Sequence, residues 1–225
     1  MPRSLRLTLR LLMWGLLPVL AGGCAAAAWT ATLFPPDKAK AKYEFDESST
    51  ALVLVEDPKH LTDRTSLKTQ ITEFLNQELE DRGLVERVVP YHQLMNLAAA
   101  TDDFHTLSTA EVGKKLHADV VLYVEIDAFQ LREDASTAFW HGKLNTRVKV
   151  VGVKEGRLWP KDLPEGYSPT AVDTGSVSGE GSLQFEQHLV ETIALEMGDN
   201  IMKLFYKHRG KEHGSLPEDN TMDRP

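Results

Sequence analysis

Leu107-Ser108-Thr109-Ala110-Glu111-Val112-Gly113-Lys114-Lys115-Leu116-His117-Ala118-Asp119-Val120-Val121-Leu122-Tyr123-Val124-Glu125-Ile126 is the stretch on which the fold is read. Ser108 can cap a helix with its hydroxyl, and Glu111, three residues on, can reach back to it. Leu107 and Val112 then stand as the hydrophobic staple of the same capping box. The helix is predicted to run to about His117. Val120, Leu122, Val124 and Ile126 follow at alternate positions, one face of a strand. A helix handing straight over to a strand is the joint of an α/β layer fold.

Working upstream, Ala51-Leu52-Val53-Leu54-Val55 is a short continuous apolar run, as a strand buried on both faces requires. Residues 66–82 carry Leu67, Ile71, Phe74, Leu75 and Leu79 on one helical stripe that Gly83 ends. Val85–Val89 reads as a second strand, and Tyr91–Ala100 as a short helix. Downstream, residues 141–153 alternate strictly. Leu144, Thr146, Val148 and Val150 face one side and Lys143, Asn145, Arg147 and Lys149 the other, the pattern of an antiparallel strand with one wet face. Lys154–Arg157 reads as a tight turn into Leu158-Trp159, Pro160, Pro164 and Pro169 mark a loop, and Thr174–Ser182 is a last strand candidate. A final helix over about 186–208 presents Leu189, Ile193, Met197, Ile201, Leu204 and Phe205, and ends on Lys207-His208-Arg209-Gly210. The predicted class is therefore α/β with a layered mixed sheet. Its early strands are parallel, its later ones antiparallel, and helices including a long C-terminal one pack on it.

The element order, with Val88-Val89-Pro90-Tyr91-His92-Gln93-Leu94 and Val112–Leu122, is similar to one group of envelope proteins. It resembles the periplasmic domain shared by the curli-secretion lipoprotein, the lipoprotein activators of peptidoglycan synthases and the amino-terminal domain of the Tol-system propeller protein. In that group a helix ending in a Gly…Leu-x-Ala-Asp pattern feeds a central strand, as residues 113–119 feed 120–126 here. The strand, Gly-bearing turn and Trp of Val148–Trp159 match as well. The resemblance covers roughly residues 50–208 and implies a non-enzymatic protein that scaffolds, secretes or switches a partner. The connections near 131–140 and 160–173 are short, charged or Pro-rich, and hold no segments of about ten residues alternating for lipid.

The amino-terminal end speaks of location. Arg3, Arg6 and Arg10 precede the apolar core Leu11–Leu20, small residues follow, and the chain's single cysteine, Cys24, comes next. Such a core is too short to cross a bilayer of about 30 Å as a helix and reads as a secretory signal. The pattern resembles bacterial lipoprotein precursors, which implies that Cys24 is lipidated. Ala21 stands where leucine is usual, and Ala25 resembles the sorting pattern of outer-membrane lipoproteins. The alternative is an unpaired buried cysteine behind an ordinary cleavage site. The expected organisation is a signal peptide over 1–23, a lipidated terminus and tether over 24–49, one α/β domain over 50–210 and a polar tail over 211–225. The expected location is the outer membrane, facing the periplasm.

Removing Arg3, Arg6 and Arg10 from 25 basic residues leaves 22 against 33 acidic ones, a formal −11. That balance disfavours nucleic acid, which needs clustered Lys and Arg, and disfavours adsorption to anionic lipid. The acyl chains would have to supply the grip on the membrane, and at about 0.8 kcal/mol per buried CH₂ two or more suffice.

No catalytic set, metal site or cofactor motif is read from the sequence. The eight histidines are scattered; His188 and Glu191, three apart, lack the second such pair that carboxylate-bridged metals use. Gly175–Ser182 has no Lys after its glycines and reads as a glycine-bearing strand or turn. Asp102-Asp103 reads as a turn. Of the aromatic set Phe104, Phe139, Trp140, Trp159 and Tyr167, the last four are the candidates for partner binding, against the alternative that they plug the ends of the sheet core. The expected function is a lipid-anchored, non-catalytic envelope module that binds an envelope protein or its own copies. The rivals are a subunit of a transport or secretion machine, and an envelope hydrolase with an unrecognised site in the loops at 101–107 and 160–173. A cleft gathering His105 or His141 with carboxylates would favour the hydrolase.

Overall fold

The computed structural model describes residues 38–62, 64–132, 139–178 and 182–209. The expected signal peptide over 1–23, Cys24 and the expected polar tail over 211–225 lie outside the described residues. Two units are distinguished, Lys40–Lys207 and the flanking chain on either side of it. Of the flanking unit, the described part is a ribbon in which β1 (Lys38–Ala39) pairs antiparallel with β8 (His208–Arg209).

Within the larger unit, β2 (Thr50–Glu56) is the central parallel strand, buried along almost its whole length. β3 (Arg87–Val88) lies parallel to it on one side and β4 (Val120–Gln130) parallel on the other. β5 (Phe139–Gly152) joins β4 antiparallel, and β6 (Gly156–Trp159) and β7 (Val172–Ser178) both pair antiparallel with β5. The mixed sheet therefore follows the predicted order, parallel first and antiparallel later.

Two apolar layers cover it. On one face α1 (Thr65–Asp81) buries Leu67, Ile71, Leu75 and Leu79, and α4 (Leu183–Met202) buries Leu189, Ile193, Met197 and Ile201. Both lie against Val53, Leu122, Ile126, Leu144 and Val148. Each fully buried aliphatic side chain contributes about 1.5–3 kcal/mol, so this layer dominates stability. On the other face α2 (Tyr91–Ala99) and α3 (Thr109–Lys115) bring Leu94 and Val112 onto Leu52, Leu54 and Val121. The capping box at α3 is present as read, with Ser108 accepting from the Glu111 N–H and the Glu111 side chain accepting from the Ser108 N–H at 2.8 Å.

Several expectations are corrected. The C-terminal helix stops at Met202 rather than near 208: Lys203 caps it, the chain turns, and the Leu204 carbonyl accepts the Lys42 N–H at 2.7 Å. That bond and the burial of Phe45 at 8% exposure show that the later part of the expected 24–49 tether is packed structure. The strand expected over 85–89 is only Arg87–Val88, because Pro90 is the N-cap of α2 and Tyr91 enters that helix instead of continuing beside β2. α3 ends at Lys115, and His117, with φ at 56°, turns the chain sharply into β4. The last strand begins two residues earlier than expected, at Val172.

Candidate functional site

β2 leaves its carboxyl end into α1 on one face of the sheet, whereas β3 leaves into α2 on the opposite face. Adjacent parallel strands whose outgoing connections part in this way leave a crevice beyond their carboxyl ends, the place where open α/β sheets hold ligands. A cleft of about 460 Å³ lies there. That is within the roughly 300–1,000 Å³ of small-molecule sites.

Leu54, Val55, Glu56 and Asp57 form its floor. Thr65, Lys68 and Thr72 of α1 make one wall, and Tyr91, Leu94, Met95 and Ala98 of α2 make the other. His60, Phe104 and His105 complete the lining. The Tyr91 hydroxyl and Thr69 Oγ1 lie 3.1 Å apart and tie the two helices together. The wall from α2 is apolar, and Met95 is 44% exposed on it.

The most buried carboxylate of the cleft is already committed. Asp57, 9% exposed, accepts the N–H of Leu61 at 2.9 Å through one oxygen and that of Thr62 at 2.8 Å through the other. Its own carbonyl accepts from the His60 N–H at 3.2 Å, and His60 takes the left-handed conformation, φ 51°. The segment after β2 is thus a turn organised around Asp57. Among the described residues no group of three His, Cys, Asp or Glu side chains is arranged to hold a metal ion.

Beyond α2 and α3 the sheet face carries charge in cross-strand register. Glu125 opposes Arg147 and Tyr123 opposes Lys149. Burial, then the carboxylates of Glu56 and Glu125, pushes the Tyr123 hydroxyl above its ordinary value. Asp127 accepts from Arg147 and from Lys59, the latter at 2.5 Å, and these hydrogen bonds hold its carboxyl down at about 2. Lys149 and Glu125 lie 3.9 Å apart, so the charges named here stand in opposite-sign pairs.

The four aromatic candidates fall into two separate places. Trp140 is 3% exposed, with Phe185 5.7 Å away and the Arg132 guanidinium 3.8 Å over its ring, while its neighbour Phe139 is 55% exposed. The Trp159 and Tyr167 rings lie 5.3 Å apart, tilted by 37°, near Phe205 and Tyr43. Val150 pairs with Trp159, so ten residues of β5 separate the two places, about 33 Å of strand. His141 pairs with Asp173 at 2.6 Å, away from the cleft lining. His188 is 78% exposed, 3.9 Å from Glu191, on a solvated helix face. Gly175 lies in β7, and residues 179–181 of the glycine-rich segment lie outside the described residues. Sequence reasoning did not assemble the cleft: of its lining it singled out Phe104 in the aromatic set and His105 in the rival hydrolase reading, and it passed over His60.

No protein-family model matches the chain, and no curated protein matches it. Solved structures do resemble it. The PelC dodecamer from Paraburkholderia phytofirmans is 12% identical over 76% of this chain and 96% of that one, with a TM-score of 0.38. The lipoprotein GNA1162 from Neisseria meningitidis is 14% identical over 67% of this chain and 99% of its own, TM-score 0.40. Lipoprotein B from Nitrosomonas europaea is 9% identical over 73% and 84%, TM-score 0.35. At these identities and scores the likenesses assign neither a family nor an activity.

Proposed function

We propose that this protein is a lipid-anchored, non-catalytic module of the bacterial cell envelope that binds another envelope protein. The anchor is Cys24, held on the outer membrane and facing the periplasm. The observation that carries the binding reading is the cleft between α1 and α2. Its α2 wall is apolar, and its most buried carboxylate, Asp57, has both oxygens engaged by backbone N–H groups. Such a lining supplies contact surface for a partner.

Metabolic labelling with a radioactive fatty acid tests the anchor: label enters the wild type and not Cys24→Ala. Affinity capture of the labelled protein from detergent-solubilised membranes tests the binding. Recovery of the wild type without a stoichiometric companion would contradict it.

One observation favours a second reading, an envelope hydrolase. The cleft gathers His60 and His105 with Glu56 and Asp57. Turnover of ester, amide and glycoside substrates that His105→Ala abolishes would establish it in place of the first.

A further inference from the structure

We infer that the cleft is a docking site for an extended strand of a partner protein, which adds to the open edge of β2. The argument begins with the phase of the main chain. In β2 the carbonyl of Thr50 accepts from Asp119, at the head of β4, whereas the carbonyl of Ala51 accepts from Val89, beside β3. Even-numbered residues of β2 therefore bond towards β4 and odd-numbered ones towards β3, as a parallel ladder demands. Val53 and Val55 share the phase of Ala51. Yet β3 stops at Val88, Pro90 turns the chain away, and among the described residues no backbone partner lies on that side of Val53 or Val55.

The cleft opens where that edge is bare. It touches Leu54, Val55, Glu56 and Asp57, four consecutive residues whose side chains alternate between faces. A cavity in contact with all four meets the strand edge-on. Unpaired main-chain groups in a half-enclosed site are costly to leave unmade, and an extended peptide supplies the matching donors and acceptors. From Leu54 to Asp57 is about 10 Å of strand, room for three residues of a partner.

The walls set its chemistry. Residues of the added strand that point towards α2 meet Leu94, Met95 and Ala98, so they must be apolar. Those that point towards α1 meet Lys68 and the Thr65 hydroxyl, which suit small or acidic side chains. The partner segment is therefore extended, alternately apolar and small or acidic, and free of a proline where Val55 must bond.

This inference rests on the reading of the protein as a binding module and names what it binds. It is tested with the full chain purified in detergent, against a displayed library of random 15-residue peptides. The expected result is binders with apolar residues at every second position. The best of them slows amide exchange at Val55 at least tenfold, and N-methylation of alternate peptide amides weakens binding at least tenfold. Met95→Asp, at an exposed position, should weaken binding by a similar factor, while Glu191→Lys on α4 should not. Should Met95→Asp fail to fold, the N-methylated peptides still decide. Peptides with apolar residues at helical spacing, or binding that leaves Val55 exchange unchanged, would overturn the strand assignment and leave the binding reading standing. Protection of Val55 in the peptide-free protein together with dimer formation would place a second copy on the edge and overturn the partner. Absence of any binder, with no companion in affinity capture, would remove both.

Discussion

The main-chain N–H of Val89 donates to the carbonyl of Ala51 at 2.8 Å, and with that bond the ladder between β2 and β3 ends. Val89 and Val55 are similarly buried, at 5% and 9%, but only Val89 has its N–H paired between these strands. Amide exchange should separate them. The Val89 amide is expected to exchange at least about tenfold more slowly than that of Val55 in the unliganded chain. Equal rates would mean that the edge of β2 is closed.

Gly113→Ala tests how tightly α3 sits on the sheet. A Cβ at Gly113 would lie 2.7 Å from the Cγ2 atoms of both Val121 and Val153. Overpacking of this kind costs about 1–3 kcal/mol, and the gain in helix propensity returns at most about 1. Urea denaturation should show a net loss of stability; a stabilised variant would place α3 further from the strand.

Ser108→Ala removes the hydroxyl that accepts the Glu111 N–H at 3.3 Å. A loss of about 1 kcal/mol is expected at this cap, measured in the same denaturation experiment. An unchanged midpoint would show that the first turn of α3 is held by its apolar contacts alone.

Phe45→Ala distinguishes packed chain from tether. The Phe45 ring lies 5.0 Å from that of Phe205 and 5.2 Å from that of Tyr43. Truncating a buried phenylalanine costs about 3–5 kcal/mol, whereas the same change in a free tether would leave stability untouched.

Asp127 predicts an acid dependence with a definite sign. Folding lowers its carboxyl from 3.8 to about 2, chiefly through the hydrogen bond from Arg147. The folded state therefore favours the ionised form. This contribution is complete above about pH 4, declines between 4 and about 2, and is absent below. The stability difference between wild type and Asp127→Asn should be constant at neutral pH and shrink through that window. A difference that grew on acidification would contradict the Arg147–Asp127 pairing.

The features legible in the sequence were those fixed by local chemistry. Ser108 and Glu111 stand at capping-box spacing, and the alternation from Leu144 to Val150 sets which side of β5 faces the core. Carried back two steps, that same alternation puts Trp140 inward, which its aromatic character obscured. The end of α4 was hidden because Leu204 and Phe205 keep the helical stripe going. What stops the helix is the turn after Lys203, together with a bond from Lys42, more than 160 residues away. The cleft could not be read because its lining comes from three stretches, Leu54–His60, Thr65–Thr72 and Tyr91–His105. Only the opposite exits of β2 and β3 bring them together.

The most direct test of the account places a photo-reactive phenylalanine analogue at Met95 of the full chain in living cells, with the same residue at Glu191 as control. Illumination should give one discrete adduct from position 95, none from 191, and none from position 95 in the Cys24→Ala background. Equal labelling from both positions, or an adduct at 95 that persists without Cys24, would contradict an anchored module that binds through the cleft.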